Sequence, residues 1–218
     1  FEPLAAVYLK NAEVKEPVFC VNRLFDPVTD DATLPYVCIV APIPNVVYLQ
    51  SNVVIINGVA LLATNGWWTY DFDPSINPDE TKTWLQDRYG ITSESAQEIA
   101  TRAYHDAAYL ARSVQRLQTH QEVRAIVLVT HTVPAAWLVN HDLELDTEYR
   151  FNTMGNRHML NALNVDTEHK IDTWCFGHYH GKVDQYRDGV RYVNNCRGRG
   201  QTPWSQYVYH PLRVVVEY

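Results

Sequence analysis

The 218-residue chain has no CxxC pair; its four cysteines, Cys20, Cys38, Cys175 and Cys196, stand apart. Four isolated thiols in a chain of this length are not a disulfide framework, so a reducing compartment and a cytoplasmic location are expected. Long basic runs are also lacking. With 18 Lys and Arg against 25 Asp and Glu, the formal charge is −7, which argues against a nucleic-acid backbone as the main partner. Any phosphate must therefore be met locally. The longest apolar stretches, 53–63 and 125–139, are interrupted by Asn57, Gly58, His131 and Pro134, so neither spans a bilayer, and no membrane partner is expected. Repeats, low-complexity tracts and linkers are absent, which points to a single domain over 1–218. The chain opens on Phe1-Glu2-Pro3-Leu4 without an initiator Met or a signal-type segment, and the expectation is a piece of something longer.

What is present is globular: 46% of residues are hydrophobic and 12% aromatic, enough for a sizeable core. Residues 1–45, with six prolines, read as loops and short strands. From Asn45 the β-rich runs 46–49, 53–56 and 59–63 alternate with the turn residues 50–52 and Asn57-Gly58, predicting an antiparallel meander. Asn77-Pro78-Asp79-Glu80 is a helix start and Gly90 a stop, giving a helix over 78–89. A second helix begins near Ser93 or Ser95, and residues 96, 99, 100, 103, 107, 110, 111, 114 and 117 hold its buried spacing for about seven turns. The run 123–130 is a strand covered on both faces. A helix over 154–164, a strand over 171–176, a strand pair 182–187 and 190–194 turned at Asp188-Gly189, and closing strands at 207–209 and 214–218 complete the reading.

The chemistry concentrates at strand ends. Gly177-His178-Tyr179-His180 follows the strand 171–176, and His131 follows the strand 123–130. In open α/β sheets ligands gather outside the carboxyl ends of strands, so the three histidines meet if these strands are neighbours. Neutral imidazole is the commonest metal donor near neutral pH, and a metal site is the reading preferred over scattered polar loop residues.

The segments Ile126-Val127-Leu128-Val129-Thr130-His131-Thr132-Val133-Pro134 and Trp174-Cys175-Phe176-Gly177-His178-Tyr179-His180-Gly181, followed by Val193-Asn194-Asn195-Cys196-Arg197-Gly198, resemble the last two metal-binding blocks of the calcineurin-like metallophosphoesterases and the Asn-x-x-Arg-Gly stretch that often follows them. The likeness runs from about residue 45 to about 200. It implies an α/β (α+β) fold, a four-layer αββα sandwich with its N-terminal part missing. It also implies two divalent metal ions, of Mn, Fe, Zn or Ni, with His131 and His178 on one and His180 on the other. The implied reaction is hydrolysis of a phosphomonoester or phosphodiester by a metal-activated water, with a phosphorylated substrate as partner.

The family's first three blocks are missing: no D-x-H and no Gly-Asp pair occurs in the sequence, and Gly155-Asn156-Arg157-His158 carries an inserted Arg between the last two blocks. Three neutral histidines without a bridging carboxylate neutralise two cations poorly. The remaining ligands, Asp, His and Asn, are therefore expected from an upstream segment or a second chain. Two other readings stay open: a noncatalytic remnant serving as a structural or interaction module, and a mononuclear three-histidine site of His131, His178 and His180 with water in the fourth position. Arg197, Asn194 and Trp67 are the candidate substrate contacts, the first because guanidinium pairs bidentately with phosphate. Arg157 is a further phosphate candidate, whereas Arg199 is expected in a solvated turn. Trp68 and Tyr70 stand with Trp67 in an aromatic cluster equally suited to packing. The acidic stretch 142–148 reads as an exposed edge, Cys175 as a buried hydrophobe, and the remaining histidines as structural or solvated.

Overall fold

In the computed structural model, residues 49–139 and 148–196 are described in full, together with the backbone of β1 (Ala5–Val7) and β2 (Val18–Cys20). β1 and β2 form an antiparallel pair. The proline-rich remainder of 1–48, the acidic residues 142–147, Arg197, Arg199 and the expected closing strands lie outside the described residues.

The fold is mixed α/β, as expected. β3 (Asn52–Ile56) and β4 (Val59–Thr64) make the antiparallel hairpin around Asn57-Gly58, whose φ angles of 49° and 81° are what the Asn-Gly dipeptide accommodates. α1 (Pro78–Tyr89) starts with the Asn77 side chain accepting from Asp79 N and ends at Gly90 in the left-handed region, φ 69°, so both sequence signals act as read. α2 (Ser93–Gln118) follows, capped by Thr92. The chain then runs through β5 (Ala125–Thr130), the short α3 (Glu148–Phe151) and α4 (Asn161–Asn164), β6 (Ile171–Phe176), β7 (Val183–Arg187) and β8 (Val190–Asn194).

The six strands order as β3-β4-β5-β6-β8-β7. The central four, β4, β5, β6 and β8, are mutually parallel, and the two edges are antiparallel. Alternation divides the strands between two buried faces. Ala60, Leu62, Ile126, Leu128, Trp174, Phe176 and Tyr192 join Ala107, Leu110, Val114 and Leu117 of α2 in the larger core. Val59, Leu61, Ala63, Val127, Val129, Cys175 and Val193 form the opposite face with Leu49. The unbroken apolar runs of β4 and β5 are buried throughout, as strands covered on both faces must be. Of the four layers that the family resemblance implies, the six-stranded sheet with its helices is among the described residues, together with the separate β1–β2 pair.

Two expectations need correction. Residues 154–164 are not one helix: Met154 lies in a bend, Gly155 forms an isolated bridge to Val133, Asn156 is extended, Arg157–Leu160 is a 3-10 turn, and only Asn161–Asn164 is α-helical. The cause is packing at Gly155, where a Cβ would lie 2.1 Å from the Val133 carbonyl oxygen and 2.4 Å from the Phe72 ring. The backbone there bridges to Val133 instead of coiling, with Val133 N donating to Met154 O and Asn156 N to Val133 O, both at 3.1 Å. On α2, Ala111 is only half-buried, whereas Asp106 and Ser113 are buried.

Candidate active site at the strand ends

Parallel neighbours place their carboxyl ends on one edge of the sheet, and that edge collects the sequence candidates. β4 leads into Asn65-Gly66-Trp67-Trp68, β5 into His131, β6 into Gly177-His178-Tyr179-His180, and β8 ends at Asn194. This is the crevice where open α/β sheets bind ligands.

His131 and His178 meet directly. His131 Nε2 lies 3.1 Å from His178 Nδ1, with the rings edge to face at 4.9 Å between centroids. His178 stands in the left-handed region, φ 60°, an uncommon backbone for a non-glycine residue. That conformation turns its ring inward at the open end of β6, where Gly177 N donates to His131 O at 2.9 Å. On its other side His178 Nε2 is 3.2 Å from the Thr153 carbonyl oxygen, and its ring stacks on Trp68 at 5.7 Å and 13°.

The network assigns the protons. A carbonyl only accepts, so His178 Nε2 carries hydrogen. Burial, then the neighbouring His180, pushes the His178 pKa down to about 4, so the ring is neutral and its Nδ1 is bare. His131 Nε2–H donates to that nitrogen. His131 is itself held neutral, well below the ordinary imidazole value, by burial and by His178 and His180, which leaves its Nδ1 a bare lone pair. That atom is buried and has no hydrogen-bond partner. Buried polar atoms are nearly always satisfied. An orphaned acceptor at a strand-end crevice, beside the likewise unpartnered Trp68 Nε1, therefore points to something bound.

The loop carrying Trp68 is tied from below by a residue the sequence reading passed over. Asp106, buried in the middle of α2, accepts from Gly66 N at 2.7 Å and from Gln50 Nε2 at 3.2 Å. Burial raises its pKa against the hydrogen bonds that favour the carboxylate. Asn65 O in turn accepts from His131 N and Thr132 N at 3.0 and 3.2 Å, and Thr132 Oγ1 donates to Gly66 O at 2.7 Å. An Asp on the apolar spacing of α2 was the available signal.

The other candidates fall as follows. Asn194 is fully buried; its Nδ2 donates to Tyr179 O and Gly181 O, and its Oδ1 accepts from Cys196 N, so it shapes the 177–181 loop. His180 is half-buried in that loop. Trp67 is buried with α1 and α2 residues and meets Trp68 edge-on at 5.5 Å, so the indole that reaches His178 is Trp68. Asn156 donates to Ala103 O at 2.8 Å and caps the turn at His158. Arg157 Nε and Nη2 contact Asp71 Oδ2 at 3.2 and 3.0 Å, and His158 Nε2 meets the same oxygen at 3.1 Å. Burial would raise the Asp71 pKa, but hydrogen bonds from Thr69, His158 and Arg157 outweigh it and hold the carboxyl below its usual range. Burial pushes the Cys175 thiol up to about 12, leaving it unreactive.

The donor set does not by itself fit two cations. Among the described residues no group of three or more His, Cys, Asp or Glu side chains is placed to hold a metal ion. Both nitrogens of His178 are engaged, and the ring nitrogen left open on the pair is His131 Nδ1. Among the described residues, too, no helix is long and apolar enough to cross a membrane.

No protein-family model matches the chain, and no curated protein matches it. Among solved structures it is similar to the phosphopantetheinyl hydrolase of Mycobacterium tuberculosis, at 18% identity and a TM-score of 0.49, over 75% of this chain and 59% of that one. The chain thus spans 59% of the length of that structure, and a score below 0.5 gives the likeness no functional weight.

Proposed function

We propose that this sheet edge is part of a metal-dependent phosphoester hydrolase site. In this reading His131, His178 and His180 are its imidazoles, and carboxylates supplied by residues or a second chain outside those described complete it. The observation that supports it best is the orphaned, desolvated lone pair of His131 Nδ1, at the end of one parallel strand and against the GHxH loop of the next. The block sequence around both histidines gives the reaction class, a phosphomonoester or phosphodiester with two divalent cations of Mn, Fe, Zn or Ni. Opening the His131–His178 hydrogen bond would free further ring nitrogens as ligands. Asn194 contributes by holding the loop of His178 and His180, and Arg197, just beyond the end of β8, is the proposed contact for phosphate oxygens.

The test is turnover of p-nitrophenyl phosphate and bis-p-nitrophenyl phosphate by the purified chain with its co-purifying polypeptides, across those four cations. Cation-dependent turnover that His178→Ala abolishes, with the circular dichroism unchanged, is the expected result. An unchanged rate in His178→Ala refutes the site. One observation favours a second reading, a noncatalytic structural or interaction module: the two histidines bond to each other rather than standing open. No turnover with any cation would select it.

A further inference from the structure

We propose that Asp106 is a positioning residue for the strand-end histidines, a buried carboxylate on α2 that holds the loop after β4 so that His131 and Trp68 stand in register against His178. The positioning is a property of the fold, and its part in phosphoester hydrolysis rests on the function proposed above. Asp106 is 6% exposed and stands with the buried Ala103, Ala107 and Leu110 on the inner side of α2. A carboxylate there is costly to desolvate unless it is hydrogen-bonded, and its contribution is a single fixed geometry.

The route from carboxylate to imidazole runs through one peptide group. Gly66 N and Asn65 C=O belong to the same planar unit, which moves as a rigid body. Its N–H donates to Asp106 Oδ2 at 2.7 Å, and its oxygen accepts from His131 N at 3.0 Å and Thr132 N at 3.2 Å. Gln50 braces the preceding peptide: its Oε1 accepts from Asn65 N at 2.9 Å, and its Nε2 donates to Asp106 Oδ1 at 3.2 Å and Thr64 Oγ1 at 3.0 Å. Gly66 itself stands at φ 77°, where a Cβ would lie 2.6 Å from Met159 Sδ, so the turn toward Trp68 is tightly packed. Trp68 Nε1 has no hydrogen-bond partner, so the loop, rather than a hydrogen bond of the indole, sets the ring that stacks on His178.

The test is nuclear magnetic resonance of the histidine rings in the chelator-treated 218-residue chain. The His178 ring protons face the Trp68 indole and should resonate upfield of ordinary imidazole, an assignment fixed by their loss in His178→Asn. Asp106→Leu, which fills the space without an acceptor, should remove most of that upfield displacement, while the rings of His120 and His169, before β5 and β6 at the opposite ends of the strands, stay in place. Asp106→Asn keeps an oxygen for Gly66 N and should preserve the displacement. Gln50→Met loosens the same peptides from a half-buried position and should remove part of it, which supplies the measurement if Asp106→Leu does not fold. An unmoved His178 signal in the folded variant overturns the proposal. So does an equal shift of all the histidine rings, which would make Asp106 a support of the whole fold, and so does an Asn variant that behaves like Leu. With a phosphoester substrate, Asp106→Leu should also lower kcat about tenfold and leave KM within about twofold, and full turnover despite a displaced ring would refute the catalytic part. Ring shifts as expected in a chain without turnover would contradict the hydrolase reading and leave the positioning role standing.

Discussion

Two histidine clusters flank the same chain segment, and they are built in opposite ways. The residues 152–158 give the Thr153 carbonyl to His178 on one side and Arg157 and His158 to Asp71 on the other. The His131–His178 pair is half-buried, held neutral and without a carboxylate among the described residues, and it ends in a buried acceptor with nothing to accept from. At the rim, Asp71 takes donors from Thr69, Arg157 and His158, and the cluster balances its own charge in reach of solvent. A complete ion-pair network asks for nothing further, whereas a desolvated, unsatisfied nitrogen does. Satisfaction of the donors and acceptors, more than the presence of histidine, separates the candidate site from the rim cluster.

The two clusters should differ most in their effect on chemistry. His131→Asn should lower phosphoester turnover by at least about a hundredfold, whereas Asp71→Asn should leave turnover unchanged; steady-state assays of the two variants side by side decide it, and equal losses would erase the distinction. Next in size is the segment between the clusters. Gly155→Ala drives a methyl into the Val133 carbonyl and the Phe72 ring, and urea denaturation should show a loss of about 3 kcal/mol, as overpacking costs. Because Thr153 O holds His178, the same variant should disturb the His131–His178 pair as well.

The third prediction concerns pH. In the unfolded chain histidine takes up a proton near 6.5, whereas folded His178 resists until about 4. Stability is therefore full above pH 6.5 and is lost as pH falls from there toward 4, by about 3 kcal/mol from His178 alone. Denaturation midpoints across that window should show the loss, and His178→Asn should flatten it. Smallest is the rim: Asp71→Asn should cost about 1 kcal/mol of stability, since its partners are partly solvated, and a loss as large as that of Gly155→Ala would place the rim among the structural supports.

Much of this architecture was legible because its signals are local. Asn77-Pro78 and Gly90 bound α1, Asn57-Gly58 closes the β3–β4 hairpin, and the apolar spacing of α2 marks its buried face, since each depends only on neighbouring backbone geometry. His131 and His178 could be found because parallel strands deliver their ends to one edge. What could not be read depends on contacts distant in sequence. Gly155 interrupts an expected helix because Val133 and Phe72 pack on it, and Asp106 looks out of place until Gly66 N is seen against it. Trp67 and Trp68 are adjacent and chemically identical, and only the turn after β4 decides that Trp68 stacks on His178. The acceptor on Thr153 is a backbone carbonyl, which no side-chain pattern can announce.

Under the proposed function, the strand-end histidines are part of a dinuclear phosphoester hydrolase site completed from outside the described residues. Elemental analysis of the chain purified with all its co-purifying polypeptides tests it most directly. About two divalent metals per chain, lost together with activity on chelation and restored together on resupply, is the predicted result. No bound metal after resupply would contradict it and leave the histidine pair a structural device.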